Sequence, residues 1–503
     1  MRAPPVLLAA TAAALIGSGL AACGDTKPVV SPDRGARVEQ QDHGKGLPAL
    51  RGEMRTSPEH VMAEFVTEFS APIASASSAA SYEWLFDDGS RMAGAKVSHS
   101  FARTGIHEVR LRVTDRSGRT SEITKAVQVS AGIAALGTVM AGIVPGGIHT
   151  CALNPSSVVY CWGTNWNGTI GNGTLVDHFT PTLVTTGQAF YQIATGIAHN
   201  CALTDPGVAY CWGRNYAGQL GDGTTTDRLV PTAVAGGLTF ASIDVGFNHS
   251  CAVTTGGAAY CWGANELGQL GDGTTTAHTS PFAVTGALTF SVIRAGSKHT
   301  CALRISNGFA YCWGAAGLGQ VGNGLLGTSD LDKVMSPTVV SGGRAYTQLD
   351  AGGSHSCAIS GTTTYCWGWN GYGQLGLTTS PNTCAASRPC AKSPTAIAGT
   401  PGTFTLSAIG LGTSHSCGIG STGVLRCWGN NTHGQIGDGT TTNRPTAVIV
   451  TGVTMATIRG GNSFTCGAGT DQNPRCWGLN IFGALGLGDT TRRLTPTIVT
   501  LPP

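Results

Sequence analysis

From about residue 137 to the C-terminus the chain repeats itself seven times, and each repeat carries the same two cysteines. The pairs are Cys151/Cys161, Cys201/Cys211, Cys251/Cys261, Cys301/Cys312, Cys357/Cys366, Cys417/Cys427 and Cys466/Cys476, and in all of them the second Cys precedes Trp-Gly. The first three pairs recur at a step of 50 residues. Units of that size cannot each bury a core alone, so they must stack or close into a ring.

The third repeat shows the pattern in full. Gly246-Phe-Asn-His-Ser-Cys251 leads to Ala259-Tyr-Cys261-Trp-Gly263, then Asn265-Glu-Leu-Gly268-Gln-Leu-Gly271-Asp-Gly-Thr and Ser280-Pro-Phe-Ala-Val284. This predicts three or four short strands per repeat, with Gly at the turns and Pro near a strand start. Tyr260 and Trp262 fall on one strand face and Cys261 on the other. The two cysteines then face each other across a hairpin. Each bridge closes about eleven residues and stabilises by roughly 2.5–3 kcal/mol on the chain-entropy model.

The 17 cysteines fit an exported chain. The repeat pairs use all but three, Cys384 and Cys390 share one insertion and can pair, and Cys23 remains. Full pairing implies an oxidising compartment. Zinc would want closer CxxC spacing. Arg2, an apolar stretch from Val6 to Ile16 and Leu20-Ala21-Ala22-Cys23 form an export signal at residues 1–22. The apolar run is too short to span a bilayer. The Leu-Ala-Ala-Cys element resembles the bacterial lipobox, which implies lipidation at Cys23. Gly24 then favours the outer membrane or cell surface, so the expected location is the cell envelope. Residues 23–56, rich in charge, Pro and Gly, are expected to be a flexible tether.

Residues 57–131 form a separate unit. Val109, Leu111 and Val113 alternate with Arg110, Arg112 and Thr114, as in a half-buried strand. Asp115-Arg-Ser-Gly118 reads as a turn, and Ala126-Val-Gln-Val129 as the start of another strand. With Tyr82-Glu-Trp84-Leu-Phe86-Asp-Asp88-Gly89, His99-Ser-Phe101 and Gly105, this unit resembles the PKD domain. The resemblance implies an immunoglobulin-like β-sandwich with Trp84 in its core and a spacer or adhesion role.

Residues 132–503 resemble the regulator of chromosome condensation family, whose repeats carry W-G-x-N-x-x-G-Q-L-G. The signature stands at Trp212 to Gly221, Trp262 to Gly271, Trp367 to Gly376 and, with Ile for Leu, Trp428 to Gly437. It is altered at Thr169-Ile170, Ala316 and Ala484. The expected fold is therefore all-β: a seven-bladed β-propeller behind a PKD sandwich. A strand near Val139–Ile143 is expected to close the ring by pairing with Thr497–Thr500.

Function is less constrained. Charged residues are only 11% and net charge is +3, which gives no electrostatic case for nucleic acid. The family's founding activity is guanine-nucleotide exchange on a nuclear GTPase, and export argues against it. Other relatives are secreted, among them a bacterial β-lactamase inhibitor protein that binds its target with one propeller face. No nucleophile–base arrangement or phosphate loop is present. An enzyme would instead place titratable groups with perturbed pKa values in the central funnel. His149, His199, His249, His299, His355 and His415 each stand two residues before a Cys, with Phe464 in the seventh repeat. A ring-nitrogen bond to backbone at a turn explains them better than a metal, since a blade repeat spreads them around the axis. Asp222, Asp272 and Asp438, before Gly-Thr, read as turn formers rather than calcium ligands. No metal and no cofactor is expected.

Departures from the consensus carry more information. The two positions between Asn and Gly vary and hold Trp166, Tyr216, Glu266, Tyr372, His433 and Phe482, which are the ligand-binding candidates. They either form an exposed ring on one face or pack between blades. The fourth repeat inserts Leu325 to Val334, and the fifth inserts Thr378 to Lys392 with its two cysteines. The expectation is a lipid-anchored, non-catalytic scaffold for a protein ligand. A glycan-binding propeller is the alternative, and an enzyme the third.

Overall fold

A computed structural model describes residues 55–57, 61–62, 66–71, 79–100, 105–115, 118–130, 142–154, 156–325, 327–399 and 404–502. The export signal, Cys23 and the expected tether up to residue 54 lie outside these residues.

The N-terminal unit is a β-sandwich. One sheet holds Arg55–Ser57, Val66–Ser70 and Lys96–Ser100. The other runs Val61–Met62, Thr120–Ser130, Gly105–Asp115, Ala79–Phe86 and Arg91–Ala93. The first strand thus begins at Arg55, inside the expected tether, and the strand expected from Ala126 begins at Thr120. Trp84 is fully buried, as expected, with Phe69, Val109, Leu111 and Val113 around it. The turn after Phe86 closes through Gly89 N–H on Phe86 O (3.0 Å), and Asp88 caps it by accepting Ser90 N–H at 2.9 Å.

The repeats form seven antiparallel sheets, each cut from one continuous segment. Blade 1 holds Ile143–Pro145, His149–Leu153, Val159–Gly163 and His178–Leu183, and blade 7 holds Arg459–Gly460, Phe464–Ala468, Pro474–Gly478 and Arg493–Ile498.

In every blade the second and third strands pair so that the two cysteines are direct partners. The expected disulfides all form. Cys151 bonds Cys161, Cys201 bonds Cys211, Cys251 bonds Cys261 and Cys301 bonds Cys312. Cys357 bonds Cys366, Cys417 bonds Cys427 and Cys466 bonds Cys476. The paired Cα atoms lie 4.0–4.2 Å apart, the separation of residues facing each other directly across a hairpin. Cys384–Cys390, inside the blade 5 insertion, is the eighth bridge.

The first strands of consecutive blades are neighbours all the way round, with Arg459–Gly460 beside Ile143–Pro145. The ring is not closed by the expected exchange. Ile143 pairs with Ala152 and Thr497 with Cys476, each inside its own blade, while residues 139–141 lie outside the described residues. Each repeat supplies four strands of its own, so none is left over to exchange. The ring closes instead by packing through Ile143, Trp162, Phe464, Leu485 and Val499 and by the bonds of Trp162 and Thr150 to Ala484 O.

Consecutive blades are joined by one repeated hydrogen-bond unit. The fully buried Trp262 donates its indole N–H to Gln219 O in the preceding blade at 3.0 Å. Ser250 donates its hydroxyl to the same carbonyl at 2.8 Å. That hydroxyl proton is committed, so His199 Nε2, 3.0 Å from Ser250 Oγ, must be the donor to it. The glycine ending the signature is required here: a Cβ on Gly221, at φ +70°, would stand 2.6 Å from Trp262 Nε1. Equivalent bonds link His149 to Asn200, His249 to Thr300, His299 to Ser356, His355 to Ser416 and His415 to Thr465. The histidines therefore do have a repeated structural role, but their partner is a side chain in the next blade rather than backbone at a turn. Burial holds them neutral, pushing His149, His249 and His415 down to about 4 and His199, His299 and His355 to about 3.

Candidate functional site

The signature loops rise together on one face and are organised by their Asn and Gln. Asn215 accepts Leu220 N–H at 2.9 Å and donates to Thr224 O and Thr226 O, 3.1 and 3.0 Å away. Gln219 Oε1 accepts Ala217 N–H at 2.9 Å. Asp222 is a turn residue, as expected: Oδ1 takes Thr224 N–H at 3.0 Å and Oδ2 takes Arg228 Nε at 2.6 Å. Among the described residues no group of three or more His, Cys, Asp or Glu gathers for a metal.

The repeat cysteines belong to the frame and not to the site. Cys161, Cys211, Cys261, Cys312, Cys366, Cys427 and Cys476 are all fully buried, as are the partners they bond. They sit in the cores between blades, Cys161 beside Trp212, Cys211 beside Trp262, Cys312 beside Trp367, Cys366 beside Trp428 and Cys427 beside Trp477. Each bridge thus fixes the hairpin against which the next blade's tryptophan packs.

The residues that this framework leaves over are those between Asn and Gly. Trp166 is 63% exposed, Tyr216 53% and Tyr372 38%. Glu266 is exposed, while His433 and Phe482 are half-buried. The structure brings only two of the six together: Trp166 and Phe482, from blades 1 and 7, meet edge to face at 6.3 Å. Ile481 beside them is 59% exposed. Tyr216 carries the Arg214 guanidinium over its ring at 4.3 Å, and Glu266 pairs with Lys298 at 3.4 Å. Tyr372 stands apart, edge-on against Trp369 at 5.3 Å.

The insertions of blades 4 and 5 pack on each other. Arg388 pairs with Asp330, and Ala385 N–H donates to Gly317 O at 3.2 Å. Gly327, at φ +113°, lets the blade 4 loop pass against Cys384, where a Cβ would lie 3.0 Å from Sγ. Asp332 takes backbone N–H groups from Gly327, Thr328 and Ser329, which hold its carboxyl down at about 2.

A repeat model described as "regulator of chromosome condensation (RCC1) repeat" matches residues 157–203, 206–253, 256–303 and 363–419, and a PKD domain model matches residues 54–131. A second model of the repeat matches residues 190–219, 240–269 and 407–435. The propeller also superposes on Prp20p of Saccharomyces cerevisiae with a TM-score of 0.59 at 20% identity, covering 72% of this chain and 88% of that one. It is an RCC1-repeat propeller with a PKD domain.

Two curated proteins resemble parts of this RCC1-repeat chain. A probable E3 ubiquitin-protein ligase, HERC4 of Mus musculus, is 34% identical over 28% of it. The collagenase ColA of Clostridium perfringens is 42% identical over 10% of it. The chain spans only 18% and 4% of the lengths of these two proteins.

The RCC1-repeat framework also exposes residues that the sequence analysis missed. Seven positions before the first Cys of each repeat stand Val144, Ala194, Asp244, Arg294, Asp350, Gly410 and Arg459, all on the innermost strands. Lining up the repeats on their cysteines would have found this charged quartet. Burial raises Asp244 and lowers Arg459. Asp244 Oδ2 accepts Ala295 N–H (2.9 Å), Asp350 Oδ2 accepts Leu411 N–H (2.8 Å), and Arg294 Nε lies 3.7 Å from Asp350 Oδ1. Both carboxylates thereby tie one inner strand to the next.

Proposed function

We propose that this chain is an exported, lipid-anchored, non-catalytic scaffold that binds a protein at the cell envelope through its loop face. The observation that carries the reading is the exposure of Trp166, Tyr216 and Ile481 at equivalent loop tips whose other side chains are committed to holding the loop. Exposed aromatics on a rigid frame are the usual anchors of protein interfaces, because they bury large area with few rotors to freeze. Prp20p, alike in fold, has binding properties toward Gsp1p and histones. Eight disulfides favour an oxidising location, and Cys23 in its lipobox-like setting favours an anchor. The inner-strand charged groups, with Asp244 raised and Arg459 lowered by burial, are what the enzyme alternative expects, while the backbone N–H bonds by which Asp244 and Asp350 tie one inner strand to the next suit a scaffold equally.

Affinity capture from envelope extract by the full chain tests the reading. A protein retained by the parent and lost by the Trp166→Ala/Tyr216→Ala/Ile481→Ala variant is the expected result. Equal retention by both would place the interface elsewhere. Detergent-phase partitioning that persists in Cys23→Ser would contradict the anchor.

A further inference from the structure

We propose that the cleft between blades 5 and 6 is a binding site for a neutral carbohydrate, separate from the protein-binding loop tips. At six of the seven seams a loop glycine clamps the neighbouring blade's outer strand. Gly173 N–H donates to Leu229 O, Gly223 to Thr279 O, Gly273 to Met335 O, Gly324 to Lys392 O, Gly439 to Leu494 O and Gly488 to Phe179 O, at 2.8–3.0 Å. Blade 5 has Thr378 where the others have this glycine, and Pro445 holds the partner position on blade 6. Among the described residues this clamp is missing only there.

The seam opens instead into a cleft of about 610 Å³, walled by the disulfide-held insertion of blade 5 and by Asn443 and Pro445 of blade 6. The cleft is shallow and largely open to solvent, so a ligand would lie along it rather than inside an enclosed cavity.

Its chemistry selects the ligand. Every side chain lining it is uncharged, so neither an anion nor a cation has a counter-charge to bind. Hydroxyls and amides line it alongside apolar surface, from Thr379, Ser380, Asn382, Thr383 and Asn443. Ser380, Asn382 and Asn443 each accept one internal hydrogen bond, from Asn370, Lys392 and Asn431, and keep their donor hydrogens for a ligand. Tyr372 supplies one aromatic face, held by the edge contact with Trp369. The Trp369 indole N–H is buried without a partner, directly behind Gly371 of the lining, where a Cβ would lie 2.8 Å from it. Trp369 occurs at this position in no other repeat. An aromatic platform among neutral donors and acceptors matches a pyranose, with its apolar ring face and hydroxyl rim. A peptide adding as a strand is disfavoured, because Pro389 and Pro445 offer no N–H for a ladder. The disulfide pre-orders the wall and lowers the entropy cost of binding.

Saturation-transfer NMR of the full chain with maltose, cellobiose, lactose and diacetylchitobiose tests this. Transfer to at least one sugar is expected. Tyr372→Ala should weaken it roughly three- to tenfold, the loss of one aromatic contact. Thr379→Trp, at an exposed loop position, should abolish it by filling the cleft while leaving the melting temperature in place. Trp166→Ala should change nothing, which separates this site from the loop tips. Absence of transfer from all four sugars, transfer that survives both cleft variants, or a displayed peptide whose binding depends on Tyr372 would overturn the proposal.

Discussion

The seam between blades 2 and 3 and the seam between blades 7 and 1 perform the same task with different chemistry. At the first, His199 bonds Ser250, whose hydroxyl joins Trp262 on the Gln219 carbonyl. At the second, Trp162 and Thr150 meet on Ala484 O at 2.9 and 2.7 Å, but Phe464 stands where the histidine would be. The shared bonds are the indole and hydroxyl bonds to the loop carbonyl, so these hold the blades together. The histidine is an addition, present at six seams and replaced by apolar packing at the closing one. The closing seam is also where exposed apolar side chains gather, at Trp166 and Ile481, beside the half-buried Phe482. Residues that recur hold the ring. Of those that break the recurrence, some, such as the buried Phe464 and the inner-strand Asp244, hold it too, and those at the loop tips, such as Trp166 and Ile481, are left facing solvent.

Acid should break the comparison most strongly. All six histidines are buried and neutral, with folded values of about 3 or 4 against 6.5 unfolded. Between those limits the unfolded chain binds more protons, so stability rises with pH. It is complete above 6.5 and is lost as the pH falls towards 4, each unit of depression counting for on the order of 1.4 kcal/mol per group. Denaturant midpoints between pH 7 and 4 should fall steeply. A flat profile would mean that the rings are hydrated.

The next largest effect sits in the shared bonds. Trp262→Ala should cost ~3–5 kcal/mol as a fully buried aromatic. Trp162→Ala at the closing seam should cost as much, because the indole bond is common to both. A much smaller loss at Trp162 would make that seam the weak point of the ring.

Exchanging the variable element should do less. His249→Phe imitates the closing seam and should cost about 1 kcal/mol, one hydrogen bond to Thr300. Phe464→His should add a similar or smaller amount, since Thr150 already stands ready as acceptor. Chemical unfolding of the two variants checks both signs. Smallest of all, Trp166→Ala and Tyr216→Ala should stay within about 0.5 kcal/mol of the parent, because these side chains are largely exposed.

Much of the fold was legible because it is local. The cysteine register, from Cys151–Cys161 to Cys466–Cys476, follows from two strands and the short turn between them. The buried Trp84 and the turn at Asp222 likewise follow from a few adjacent residues. What escaped lies between blades. His199 and Ser250 are 51 positions apart, and their bond is visible only when one repeat is laid on the next. Every such histidine is followed by Thr, Asn or Ser, which is the trace that this bond leaves in the sequence. The charged quartet leaves a trace at one fixed position, seven before the Cys, but in only four of the seven repeats. Ring closure was misjudged because strand exchange needs a repeat split between the two termini, and here no repeat is split. At the candidate site, the variable positions between Asn and Gly could be named from the sequence but not how they group, because whether Tyr372 faces open solvent or a cleft depends on Thr378 and on Pro445 in the next blade.

The most direct measurement compares two full-chain variants with the parent in melting and in envelope-protein capture. Trp166→Ala/Tyr216→Ala/Ile481→Ala should melt like the parent and capture nothing. His249→Phe should melt lower and, below that temperature, capture as the parent does. A loop-tip variant that melts early, or that still captures the same protein, would contradict the division between residues that hold the ring and residues that bind.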